Sequence, residues 1–490
     1  MIIETRTATI LFALTVGGLL LTIARYKGSS SQPLTFELLN QVADDLLKQV
    51  DGQNNNNNDY NYCQAQRPAL NTFPEPKFKG STLVNSQLFI RHGDRTPSAV
   101  NPRDLDLTWE CAKTNAYAFT GIGTDEAEKA PFHYANVVAH QIITIPQKSP
   151  FATQMWKGSC LPGQLTPVGA MQHRRLGTVL RQIYVDKFKL LPATFDPEAV
   201  YIRSTEGLCI PYIPAMRLSS ADVWRTKQSA ENLMAGMYGI QSPSSTTPPP
   251  VLQIHTLPIE IDYLTMNTNA CPRLSKIKSE MEKASQVLKR LKADTVEFKK
   301  ELINILGVET FMSGYMDTVL PRVCHGKPLQ CLPNEANEES KCITKASVTR
   351  ILEVIGVETT ETFRDAEGIT EVLRLGIGPF VDEIKQNLLH AKANGKVRFS
   401  FYSGHDTTIL PLLGVLDSLD MRWPPYASSI LVELWRTPRD EHYIRVLYNG
   451  VVLQTKSKWC DLEWCPFEAF IGQLEKFAIT DVTTMCQNPK

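Results

Sequence analysis

The chain has no net charge to offer a polyanion: 51 Lys and Arg balance 51 Asp and Glu over its 490 residues. That balance excludes a globally basic nucleic-acid binder, so any positive patch must be local, built by a few arginines. Paired CxxC motifs are also missing, and the nine histidines show no metal-like spacing, so the sequence offers no ready zinc site and calls for no cofactor. There is no Asn-x-Ser/Thr sequon and no internal repeat. What is present is a 43% hydrophobic composition, ample for a packed core, and 11 well-spread cysteines.

Residues 8–24 carry no charge and are bounded by Arg6 and by Arg25 and Lys27. This length suits either a signal-peptide core or a short membrane span. Residues 1–28 therefore read as a signal anchor or signal peptide, with a lean toward an uncleaved anchor and the C-terminal bulk in the lumen. Either reading delivers the rest of the chain to an oxidising, secretory-pathway compartment where disulfides persist. If the segment is cleaved, the product is secreted. Residues 29–76 read as a flexible stem with an Asn-rich linker, Asn54 to Asn58, and a short amphipathic helix within Thr35–Val50.

The remainder, 77–490, reads as one α/β domain: a mixed sheet flanked by helices, its core mainly 77–260 and 395–455, with a helical insertion at about 270–394. Strands are expected at Ser81–Ile90, Ala199–Ile202, Val397–Tyr402 and Ser429–Trp435, and a hairpin arm at His442–Leu447 before Asn449-Gly450. Leu165–Leu191 reads as a helix, with Thr166 as cap and Pro167 in its first turn. Lys276–Leu306 reads as one long amphipathic helix, apolar at Met281, Leu288, Leu291 and Val296. Asp104 and Asp106 read as solvated loop carboxylates, and His173 as structural. Cys324 with Cys331, and Cys460 with Cys465, are close enough for local disulfides, but each could pair elsewhere.

The chemistry concentrates in Arg91-His92-Gly93-Asp94-Arg95-Thr96-Pro97, at the C-terminal end of the first strand. That is where open α/β sheets bind ligands. Guanidinium groups match phosphate oxygens in bidentate geometry and stay charged. They also lower the pKa of a histidine between them, keeping its imidazole neutral and nucleophilic. Gly93 permits close approach of backbone to a ligand. A surface Arg-His-Arg turn without a role is the bland alternative, and it does not account for the whole heptad following an apolar strand.

The heptad resembles the R-H-G-x-R-x-P signature of the histidine acid phosphatases, the branch that includes lysosomal and prostatic acid phosphatases and phytases. Arg203-Ser204-Thr205, Arg225-Thr226, Tyr402-Ser403-Gly404-His405-Asp406 and Pro424-Pro425-Tyr426 resemble later segments of that family, so the likeness spans about residues 80–455. The resemblance implies that His92 attacks phosphorus and becomes phosphohistidine. Arg91, Arg95, Arg203 and His405 would hold the nonbridging oxygens, and Asp406 would protonate the leaving alkoxide. No metal is implied, and turnover should peak at roughly pH 4–6, where a carboxyl can act as an acid. The substrate class is a small phosphate ester or a phosphorylated glycan. The latter comes from a narrower likeness, carried by Tyr62-Cys63, Leu180–Tyr184 and Val446–Val451, to the family's Golgi-anchored enzymes acting on phosphorylated xylose. The non-catalytic alternative is a membrane-tethered anion binder that keeps the clamp without turnover.

One departure from the family pattern stands out. Glu206–Trp224 separates Arg203-Ser204-Thr205 from Arg225, and Gly207–Asp222 reads as an insertion. It is either a loop shaping the pocket or a retained intron. Removing it restores family spacing and leaves ten cysteines, an even number, which favours the second reading.

Overall fold

In the computed structural model the described residues are 60–111, 114, 155–205, 224–239, 252–333, 338 and 341–487. The apolar segment 8–24, the helix expected in 35–50, the Asn run and the insertion 207–222 lie outside them. The chain divides into two units, Met1–Asn61 and Tyr62–Lys490.

The centre of the second unit is a seven-stranded mixed sheet in the order β4-β5-β1-β6-β7-β8, with β9 also pairing with β7. The strands are β1 (Thr82–Arg91), β4 (Val200–Ser204), β5 (Phe399–Gly404), β6 (Ser429–Arg436), β7 (His442–Tyr448), β8 (Val451–Val452) and β9 (Cys465–Pro466). β2 (Thr108–Trp109) and β3 (Lys157–Gly158) form a separate pair. β4, β5 and β1 run parallel; β6 and the later strands alternate in direction. Alternate residues of the central strands feed two cores, as the period-2 geometry of a strand requires. Val84 and Phe89 of β1, Tyr402 of β5 and Val432 of β6 enter one. Leu88, Ile90, Phe399, Phe401 and Leu431 enter the other.

Helices α1 (Pro167–Leu180) and α2 (Arg225–Tyr238) cover the second face. Thr166 caps α1, accepting from Gly169 N at 3.2 Å, with Pro167 in the first turn. The helix continues as a π-helical segment over Arg181–Lys187. Between β4 and β5 lie α3 (Pro272–Ala284), α4 (Gln286–Asp294), α5 (Val296–Leu306), α6 (Met312–Cys324), α7 (Lys345–Thr360) and α8 (Ile369–Lys392). With α9 (Asp406–Val415) and α10 (Phe467–Glu475), α8 covers the first face, and α11 (Val482–Cys486) follows.

The single helix expected over Lys276–Leu306 is three. Ser285 leaves the helix (φ −56°, ψ 121°), and its hydroxyl accepts from Leu288 N, starting α4. Thr295 breaks the chain again before α5. Both are residues that offer the backbone an alternative to helix continuation. Of the apolar positions read there, Met281 is buried, whereas Val296 is exposed.

The stem ends earlier than residue 76. Tyr62, Ala65 and Phe73 are buried, and Cys63 is bonded to Cys324. The other disulfides are Cys111–Cys160, Cys271–Cys486, Cys331–Cys342 and Cys460–Cys465. Of the two local pairs considered, Cys460–Cys465 forms, whereas Cys324 and Cys331 each bond to a different cysteine. Cys209 lies outside the described residues. Asp104 is not solvated: it is fully buried and holds Arg322 Nη2 at 2.5 Å, fastening β2's approach to α6. Asp106 is fully exposed, as expected.

A fully buried ion pair ties β6 to β7. Glu433 accepts from Arg445 Nε at 2.6 Å, Tyr184 Oη at 2.7 Å and Trp435 Nε1 at 3.1 Å, while Arg445 Nη1 reaches Pro74 O at 2.8 Å. Removing one partner strands a charge in the core. Arg445→Met is therefore expected to lower unfolding free energy by about 3–5 kcal/mol in denaturant titration, and Glu433→Gln/Arg445→Met by less.

Candidate active site

Register brings the chemistry-bearing residues to one edge. Arg91 is opposite Gly404, and Ser204 opposite Ser403, so the parallel strands β1, β5 and β4 end side by side. The residues that follow them are His92, His405-Asp406 and Thr205. A loop from beyond α9 closes the far side: Ala427 N donates to His92 O at 3.1 Å, with Ala427 held at φ 57°.

His92 is buried, and its Nδ1 lies 2.8 Å from Gly93 O. A carbonyl only accepts, so Nδ1 carries the proton and Nε2 keeps its lone pair. Burial, and then the charges of Arg225, Arg91 and Arg95, hold the imidazole pKa well below its ordinary value. The result is a neutral imidazole with a free Nε2 among three cations.

Arg91 is fully buried: Nη1 donates to Pro424 O at 2.5 Å, and Nη2 lies 3.2 Å from Tyr62 Oη and 3.1 Å from Asp406 Oδ2. Arg95 Nη1 lies 2.5 Å from Asp317 Oδ1, and Ser98 N donates to the other oxygen of Asp317 at 2.7 Å. Asp317 comes from α6, in the helical segment, 222 residues along the chain.

The third arginine differs from the one expected. Arg203 does not turn toward His92. It lies on the β4 face covered by α8, with Nη1 2.5 Å from Glu383 and Nη2 3.1 Å from Asp262, over the Tyr263 ring. Two carboxylates already satisfy its charge. Arg225, the first residue of α2, takes the place expected of Arg203. It is buried, reaches His405 Nδ1 at 3.4 Å and Gly163 O at 3.3 Å, and has no carboxylate within ion-pair distance among the described residues. Burial and the neighbouring Arg95 charge both disfavour its own, lowering its pKa. Among the described residues the Nε–H groups of Arg91, Arg95 and Arg225 are buried without an acceptor, as is that of Arg203 on its own face of the sheet. Three such donors around one imidazole match the oxygens of a phosphoryl group.

His405 packs edge-on to His92, ring centroids 5.6 Å apart. A guanidinium only donates, so His405 Nδ1 accepts from Arg225, and Nε2–H donates to Thr205 Oγ1 at 3.0 Å. In this arrangement His405 orients Arg225. Burial and the Arg225 charge keep it neutral. Asp406 is the first residue of α9, and its Oδ2 lies 3.1 Å from Arg91 Nη2.

Gly93 has a packing task as well. A Cβ there would collide with the backbone of Gly169 in α1, so the glycine lets the loop pack on the helix. Asp94 completes that anchorage, its carboxylate meeting Thr166 Oγ1 at 2.5 Å and His325 Nε2 at 2.6 Å. His173 is fully buried on α1, its pKa pushed down to about 3 by burial, so it is a neutral core residue. Among the described residues no cluster of His, Cys, Asp or Glu could hold a metal ion.

Sequence comparison agrees with this geometry. The pattern of the Histidine phosphatase superfamily (branch 2) matches residues 82–207 and 215–449. The chain belongs to that family. It is 26% identical to counting factor 60 of Dictyostelium discoideum, over 87% of this chain and 92% of that one. It is 25% identical to human lysophosphatidic acid phosphatase type 6 (80% and 83%) and 25% identical to human 2-phosphoxylose phosphatase 1 (77% and 72%). The apo phytase of Hafnia alvei superposes with a TM-score of 0.51 at 16% identity, covering 85% of this chain and all of that one, a likeness of fold. As a branch-2 histidine phosphatase the chain is a phosphatase, with the mixed α/β sheet of that family.

Proposed function

We propose that the chain hydrolyses phosphate monoesters at acid pH through a phosphohistidine on His92. The supporting observation is a neutral imidazole set among three buried arginines whose Nε–H groups have no acceptor among the described residues. Nε2 attacks phosphorus as the ester P–O bond breaks, and Asp406 passes its proton to the departing alkoxide. Water then attacks phosphorus as the P–Nε2 bond breaks, Asp406 takes a proton from that water, and phosphate leaves with the Nε2 lone pair restored. Arg91, Arg95 and Arg225 stabilise the charge on the equatorial oxygens, a role that metal ions fill in other phosphoryl-transfer enzymes. His405 holds Arg225 in place.

Two named relatives act on phosphate esters of very different alcohols, a lysophospholipid and a phosphorylated xylose. For this chain the favoured substrate is a phosphorylated sugar of a glycan in the secretory pathway. Five disulfides fit that compartment. Tethering through residues 8–24 with a lumenal catalytic unit is part of the same proposal. Among the described residues no helix is long and apolar enough to cross a membrane.

The test is p-nitrophenyl phosphate turnover from acid to neutral pH, with and without chelator, on the full chain and on a version lacking 207–222. Acid-peaked, chelator-resistant turnover is expected. Thr226 Oγ1 donates to Thr205 O at 3.0 Å, so the two ends flanking the insertion are already joined, and the shortened chain should remain active. Correctly folded protein that binds phosphate without turnover would establish the anion-binder alternative instead.

A further inference from the structure

The family pattern begins at residue 82, yet buried residues reach back to Tyr62, twenty residues earlier. The segment before residue 82 runs into the active site. Tyr62 Oη accepts from Arg91 Nη2 at 3.2 Å, and the same nitrogen lies 3.1 Å from Asp406 Oδ2. The Tyr62 ring lies edge-on to Tyr426 at 4.9 Å, with the Arg91 guanidinium 5.3 Å from its centroid. Its backbone is fixed too: Tyr426 N donates to Tyr62 O, and Gln172 bridges Cys63 O to Asp94 N, at 2.8 Å on each side. The next residue, Cys63, is bonded to Cys324, and the residue after Cys324 is His325, whose ring holds Asp94. One disulfide thus joins the neighbours of two residues that grip the Arg91–Arg95 loop from opposite ends.

We propose that Tyr62 is a positioning residue for phosphoryl transfer, clasped by the Cys63–Cys324 disulfide, which sets how Arg91 divides its Nη2 hydrogens between the phenol and Asp406. This rests on the phosphatase reading above. Arg91 Nη2 is shared between the phenol oxygen and the carboxylate. Without the phenol oxygen, the guanidinium turns more fully to Asp406 and holds its carboxyl away from the leaving oxygen that it must reach. The effect should therefore depend on how much the leaving group needs the carboxyl proton.

The experiment compares wild type, Tyr62→Phe and Cys63→Ser/Cys324→Ser in the full chain. Each is assayed on p-nitrophenyl phosphate and on glycerol phosphate across pH, with inhibition by inorganic phosphate measured in parallel. Tyr62→Phe keeps the ring and its packing. It is expected to lower kcat on glycerol phosphate about 3–10-fold more than on the aryl ester, with a small fall in melting temperature from the lost hydrogen bond to buried Arg91. The double cysteine variant should change the leaving-group ratio in the same direction, with a larger fall in melting temperature. An unchanged leaving-group ratio in Tyr62→Phe would overturn the proposal, whether or not the cysteine variant folds. If wild type itself binds phosphate and turns over neither ester, the phosphatase reading fails instead, a distinct result.

Discussion

His92→Ala is expected to abolish turnover, by at least about 10⁴-fold in kcat, while the protein still binds inorganic phosphate. The imidazole supplies the bond to phosphorus; the arginines supply binding and charge stabilisation. Removing Nε2 takes away the covalent route and leaves the clamp formed by Arg91, Arg95 and Arg225. His92 is buried, but it accepts no side-chain hydrogen bond whose loss would orphan a neighbour, since Nδ1–H is satisfied by the adjacent Gly93 carbonyl. Steady-state assay on p-nitrophenyl phosphate alongside calorimetric titration with phosphate checks both halves. Retained turnover would remove His92 from the chemistry, and lost phosphate binding would mean the clamp depends on the ring.

Arg225→Met and Arg203→Met are expected to fail in different ways. Arg225 has no carboxylate partner among the described residues and faces His405, so its loss removes one stabiliser of transition-state charge, worth roughly 10²–10³-fold in kcat. It also moves the acid limb. The Arg225 charge helps hold the His92 pKa down; without it that pKa rises toward its ordinary value, His92 protonates at higher pH, and activity on the acid side is lost sooner. Arg203 sits between Glu383 and Asp262, so Arg203→Met leaves two half-buried or buried carboxylates uncompensated. Its expected signature is a loss of about 3–5 kcal/mol in stability with the acid limb unmoved. A pH–rate profile and a denaturation curve on each variant separate the two. If Arg203→Met shifted the acid limb and Arg225→Met did not, the assignment would reverse.

The same pair of arginines marks how far local sequence reaches. The heptad is local, so its residues, the strand before it and the histidine's neighbours were all legible. Arg203 and Arg225 each sit in an Arg-Thr or Arg-Ser-Thr context at an element boundary, and local context cannot rank them. The alternation of β4 could have. Ile202 enters the core shared with α1 and α2, so Arg203 faces the opposite side, with Tyr201 and beneath α8. Arg225, by contrast, opens a helix beside the strand ends. Asp317 and His325 carried no signal, because nothing local links them to residues more than 200 positions away. Tyr62-Cys63 stood out only as a point of family likeness; its place beside Arg91 was hidden, because a polar Asn run precedes it and the residues that bury it, such as Tyr426, come from the far end of the chain.

The cores behave in the same way. β5 and β6 were visible because one residue in two goes to each face, and β1, whose register shifts at Leu83–Asn85, because it ends in the apolar run Leu88–Ile90. The break of 276–306 into three helices was not, because its apolar period runs through Ser285 and Thr295, and only their capping geometry shows the interruption.

The central claim is covalent, so it is best tested by trapping. Wild-type protein mixed with a phosphate ester at acid pH, quenched within a turnover and digested under alkaline conditions, should yield one phosphorylated peptide containing residues 91–95. The phosphoryl group should be on Nε2 of His92, distinguishable from the Nδ1 isomer by mass spectrometry against synthetic standards. Phosphate on Nδ1 would contradict the tautomer fixed by Gly93. Turnover with no phosphohistidine, or with the group on another residue, would contradict the mechanism itself.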